Sequence, residues 1–68
     1  MMNEVWKLDK NYYCLYVESK DVMKRIKRYY TDFVLMAEYY DHNGKLQARQ
    51  YKVEKKRKRV AVRLKNIG

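Results

Sequence analysis

Cys14 is the only cysteine in a chain of 68 residues, and that leaves packing to carry the fold. A chain this short buries only about 60% of the surface that its unfolded form exposes, and domains of this size are commonly stapled by disulfides or a structural metal. One thiol makes no intramolecular disulfide. Cys14 with His42, the single histidine, falls two ligands short of a tetrahedral zinc site. Eight tyrosines, Trp6 and Phe33 supply large, stiff side chains for a compact core instead. The chain contains no proline, repeat or Gly/Ser linker, so one domain over residues 1–68 is expected, with no cofactor.

Hydrophobic periodicity divides the chain into elements. Val5 to Asp9 reads as a short strand with Trp6 and Leu8 on one face. Tyr12 to Glu18 reads as a second, with Tyr13/Leu15/Val17 on one side and Tyr12/Cys14/Tyr16 on the other. Lys10-Asn11 would form the tight turn between them, although it lacks the preferred glycine. The period then changes. Ser19 is placed to cap a helix and Asp21 to face its positive end. Val22, Ile26, Tyr29 and Tyr30 share a stripe with Met23 at its edge, which predicts a helix from about Lys20 to Tyr30. Asp21 and Arg25 stand four apart, at ion-pair spacing.

Phe33 to Tyr40 is apolar, aromatic and β-branched, and Asp41-His42-Asn43-Gly44 follows it. Asp at the first position and Gly at the last suit a type I turn closing a three-residue hairpin loop with a bulge. The implied register sets Leu35 opposite Tyr51 and Phe33 opposite Val53, with Lys45 to Glu54 as the return strand. Beyond it, Val60, Val62 and Leu64 alternate with Arg59, Ala61, Arg63 and Lys65, the pattern of a final strand. The competing reading is one long basic helix, in which Leu46, Val53, Val60 and Ile67 recur every seven residues. The fold expected is α+β, in the order β-β-α-β-β-β: a small antiparallel sheet of four or five short strands with one helix packed on one face.

Charge is distributed unevenly. Residues 1–44 hold seven Lys/Arg and seven Asp/Glu, whereas residues 45–68 hold ten Lys/Arg against Glu54 alone. The net charge of +9 therefore sits in the last 24 residues, which suggests a positive arm or face directed at a polyanion. Its densest part, Lys55-Lys56-Arg57-Lys58-Arg59, is expected to be a mobile loop unless a polyanion neutralises it. This run also resembles a monopartite nuclear localisation signal.

Catalysis is not expected. Cys14 lies mid-strand and His42 at a turn tip, so the one conventional nucleophile–base pair would meet only by accident. Gly44 and Gly68 are the only glycines, too few for a phosphate-cradling loop. The N-terminus lacks the basic segment and apolar run of a signal peptide. The longest apolar run, Phe33 to Ala37, is far short of the ~20 residues that span a bilayer. With a lone unpaired cysteine, these features point to a reducing, cytoplasmic setting. The function expected is non-catalytic binding of DNA or RNA with little sequence specificity, through phosphate contacts from Lys52, Lys55, Lys56, Arg57, Lys58, Arg59, Arg63 and Lys65. Tyr12, Tyr16 and Tyr40 on an open sheet face would stack unpaired bases. The alternative is a small protein-interaction module or regulator, from a phage or mobile element, that docks an acidic partner or self-associates as a homodimer through its sheet.

Overall fold

The computed structural model of the chain describes residues 3–67. Four antiparallel strands form one sheet in the order β1-β2-β4-β3, with β1 at Glu4–Lys7, β2 at Tyr12–Val17, β3 at Val34–Tyr40 and β4 at Leu46–Glu54. Helix α1 (Lys20–Tyr29) joins β2 to β3, and a 3-10 turn (Lys55–Arg57) leads from β4 into helix α2 (Lys58–Lys65). The architecture is α+β.

Local chemistry accounts for α1. The Ser19 hydroxyl accepts a hydrogen bond from the Val22 amide at 3.3 Å, Asp21 lies in the first turn and Lys27 and Arg28 lie in the last, each sign matched to the helix dipole. Val22, Met23 and Ile26 are buried, and Tyr30 stacks on Phe33 at 5.5 Å between ring centroids. Tyr29 instead points to solvent and is 67% exposed. Asp21 and Arg25 are not among the ion pairs of the described residues.

The β3–β4 hairpin forms as its turn residues predict. The Gly44 amide donates to the Asp41 carbonyl, the Asp41 carboxylate accepts from the Asn43 and Lys45 amides, and Gly44 adopts the left-handed φ of +80°. The first hairpin is looser than a two-residue turn. β1 stops at Lys7, and the Asp9 carboxylate closes the connection by accepting from the Asn11 and Tyr12 amides.

Both helices pack on the same face of the sheet. The core joins Val22, Met23 and Ile26 of α1 and Ala61 and Leu64 of α2 to Leu15, Val17, Tyr51 and Val53. Leu15, Val17, Val22 and Val53 are fully buried, worth about 1.5–3 kcal/mol each relative to exposure. The two helices run antiparallel, and ties at both ends hold α2. Arg57 meets Asp32, just past the end of α1, at 3.1 Å. At the far end, the Asn3 side chain donates to the Lys65 carbonyl and accepts from the Glu18 and Ser19 amides.

The segment expected as a final strand is therefore a helix, and the segment expected as a mobile loop is the helical turn that starts it. No turn-forming residue follows Glu54 to reverse the chain into another hairpin. The Lys55 amide is instead tied to the Asn11 carbonyl at 2.9 Å, and a second helix covers sheet core that α1 leaves bare. Helical geometry brings Val60, Ala61 and Leu64 to one side, so that Ala61, an outward residue in the strand reading, is fully buried.

A second correction concerns β3. Leu35 pairs with Tyr51 as expected, but Met36 is a bulged extra residue, and Ala37 pairs with Gln50. One inserted residue exchanges the two faces for the rest of a strand. Tyr39 consequently takes the open face, where its ring lies 6.2 Å from that of Tyr16. Tyr40 goes to the helix side, and its hydroxyl donates to Glu38.

Candidate functional site

Folding redistributes the charge into layers. Helix α1 carries five cations against Asp21, and residues 55–65 carry seven against no acid; the rest of the chain holds five cations and seven acids. The positive excess thus lies entirely on the two helices and the turn before α2, all on one side of the sheet. The linear sequence hid the contribution of α1, because its five cations are offset in the count by acids that fold elsewhere. Amphipathic spacing is the signal that carries it, since Lys24 and Arg28 lie opposite Val22 and Ile26, with Arg25 and Lys27 flanking that stripe.

Within this layer the expected contact residues separate into two kinds. Lys58, Arg59, Arg63 and Lys65 are exposed along the outside of α2, with Lys55 and Lys56 exposed on the turn that precedes it. Lys56 lies 3.3 Å from Glu54, and the Lys58 ammonium sits 5.1 Å above the Tyr13 ring. Arg57 differs. Its guanidinium is bound to Asp32 and lies 5.6 and 5.9 Å from the rings of Tyr30 and Phe33. It anchors the start of α2 and is spent on the fold. Lys55, Lys58, Arg59, Arg63 and Lys65 enter none of the ion pairs among the described residues.

A row of aromatic residues lies on the opposite side of the sheet. Tyr16 stands in a row between Trp6, at 6.5 Å, and Tyr39, at 6.2 Å. Its hydroxyl donates to Glu18 at 3.0 Å, and the Tyr39 hydroxyl donates to Gln50 at 2.7 Å. Desolvation, and then the bond to the Glu18 carboxylate, hold the Tyr16 phenol above its usual pKa. Lys52 lies on this open face with its ammonium 4.0 Å above the Tyr12 ring. Beneath the row, burial pushes the Cys14 thiol up, with a side-chain hydrogen bond to Gln50 acting in the opposite sense. His42 is exposed at the hairpin tip.

The basic turn comes beside an open-face ring at one end of the sheet, where Asn11, Tyr12, Lys55 and Lys56 line a shallow cleft with Glu54. Tyr16 lies on the face opposite the basic helices, Tyr40 has moved to the helix side, and Trp6 and Tyr39 are the further aromatics of the open-face row. Among the described residues, no group of three or more His, Cys, Asp or Glu side chains is placed to hold a metal ion, and no helix is long and apolar enough to cross a membrane. Comparison with protein-family models, curated proteins and solved structures finds no match for the chain.

Proposed function

We propose that this chain is a non-catalytic nucleic-acid-binding protein that grips the phosphate backbone of DNA or RNA through its helical layer. The observation that carries the reading is the segregation of charge, with twelve cations and one acid on α1 and residues 55–65. The outside of α2 and the turn before it supply the principal contacts, through Lys55 on the turn and Lys58, Arg59, Arg63 and Lys65 on the helix. Each phosphate neutralised releases counterions, so affinity falls steeply with salt and depends little on base sequence. Helix α2 is eight residues long, about 12 Å, and has room for only a few phosphates. The cations of α1 on the same side extend the footprint.

Arg57 contributes through the position of α2 and not through a phosphate. The test is a salt titration of binding to single- and double-stranded DNA and RNA. The triple variant Arg59→Ala/Arg63→Ala/Lys65→Ala should flatten the slope on duplex DNA by about 0.9 for each phosphate that it no longer neutralises. If it binds oligonucleotides as well as the parent at about 150 mM salt, the assignment to α2 is wrong.

A further inference from the structure

We propose that a second surface, the outer edge of β3 and the groove between β3 and α1, receives an extended acidic segment of another protein as an added strand. This inference does not depend on the nucleic-acid reading, whose principal contacts lie on α2 and the turn before it.

Among the described residues, strand β3 ends the sheet, so one side of its backbone has no strand partner. It is also the most exposed apolar segment among the described residues. Val34, Leu35, Met36, Tyr39 and Tyr40 are 57, 46, 40, 46 and 56% exposed, and they follow one another along a single edge. Edge strands are usually guarded by charge, proline or brevity. β3 has seven residues and no proline, and its one charged residue, Glu38, is engaged by Arg49 at 2.9 Å and by the Tyr40 hydroxyl. Its remaining guards are the Met36 bulge and a second register shift between Tyr39 and Tyr40.

Next to this edge, on the helix side, lies a groove of about 340 Å³ walled by Ile26, Tyr30, Phe33 and Leu35. It runs on past Lys27 and Arg49 into a second groove floored by Met23 and Leu46. An added strand would place alternate side chains in this groove while its backbone completes the ladder with β3. The rim selects their charge. Arg49 is held by Glu38, and the Lys20 ammonium donates to the Leu46 carbonyl. Lys24 and Lys27 enter none of the ion pairs among the described residues, so acidic side chains among apolar ones are what fits.

The same charges disfavour a second copy of the chain. Antiparallel pairing of β3 with β3 of another copy would bring both helical layers to the same side of one continuous sheet. The α1 helices, each carrying five cations against Asp21, would then face one another across the joint, where like charges repel.

The test selects a displayed library of random peptides, long enough to run along β3, on the full chain. Enriched peptides should alternate apolar and acidic residues. Their binding should weaken about tenfold or more for Lys24→Glu/Lys27→Glu, in which like charges meet. Peptides with lysine in place of their acids should bind that variant, and Arg59→Ala/Arg63→Ala/Lys65→Ala should bind the selected peptides as the parent does. Four results would overturn the proposal: no enriched peptide, enrichment without acids, binding indifferent to the Lys24/Lys27 reversal, or a dimeric parent that Leu35→Lys makes monomeric. The last would give the edge to a second copy.

Discussion

Helices α1 and α2 lie side by side on one sheet face and present cations to solvent, yet they are held by different means. α1 has its own start and stop signals: a Ser19 cap, Asp21 in the first turn, and Lys27 and Arg28 in the last. α2 has no side-chain cap and no acid in its first turn. Its approach is a run of cations placed against the positive end of the helix dipole, which opposes helix formation. Tertiary contacts overcome this: Ala61 and Leu64 enter the core, Arg57 binds Asp32 beside two rings, and Asn3 ties down the Lys65 carbonyl. One helix is specified by its neighbours in sequence and the other by its neighbours in space.

The sharpest way to break this contrast is to remove the anchor of α2 in the core. Leu64 is 2% exposed, and Leu64→Ala should cost about 2–5 kcal/mol in chemical denaturation. Amide exchange should show α2 losing protection ahead of α1. Equal loss in both helices would mean that they form one cooperative unit and that the distinction is only descriptive. A second, smaller effect comes from Asn3→Ala, which leaves the Glu18 and Ser19 amides without their side-chain acceptor at a buried junction. Leaving buried polar groups without hydrogen-bond partners costs about 1–3 kcal/mol, and the last turn of α2 should exchange faster because the Lys65 carbonyl is also left without its donor. Protection unchanged at Lys65 and Asn66 would show that burial of Leu64 alone holds that end.

The same contrast explains what was legible in the sequence. Ser19, Asp21 and the stripe through Val22 and Ile26 announce α1, and Asp41 to Gly44 announces the hairpin with its register at Leu35 and Tyr51, because each signal is local. Residues 45–65 were open to two readings, two strands or one long helix, and the molecule makes one strand and one helix. Val60-Ala61-Val62-Arg63-Leu64 fits a strand by alternation. Only the bare core beside α1, which no local pattern encodes, favours burying Val60, Ala61 and Leu64 together. The Met36 bulge was equally hidden: nothing in the run from Phe33 to Tyr40 marks an extra residue, and it moves Tyr40 off the open face and Tyr39 onto it. Of the candidate site, the outer α2 cations are exposed, and Lys52 lies half-buried over the Tyr12 ring. Arg57 is held by Asp32, distant in sequence.

The smallest expected effect tests the contrast most directly, because it moves the rule of one helix onto the other. Asp21 is the second residue of α1, and Arg59 is the second residue of α2. Arg59→Asp gives α2 the acid that α1 already has, and it relieves repulsion with Lys55, Lys56 and Lys58. Stability at low salt should rise by about 0.3–1 kcal/mol, with the gain shrinking as salt screens it. If α2 supplies phosphate contacts, the same variant should also bind oligonucleotides less tightly and with a shallower salt slope. A gain in stability with unchanged binding would leave the helix-dipole argument standing and remove Arg59 from the interface. No gain in stability would mean that the tertiary anchors already nullify the cost of those cations, and that α2 owes nothing to the chemistry of its own first turn.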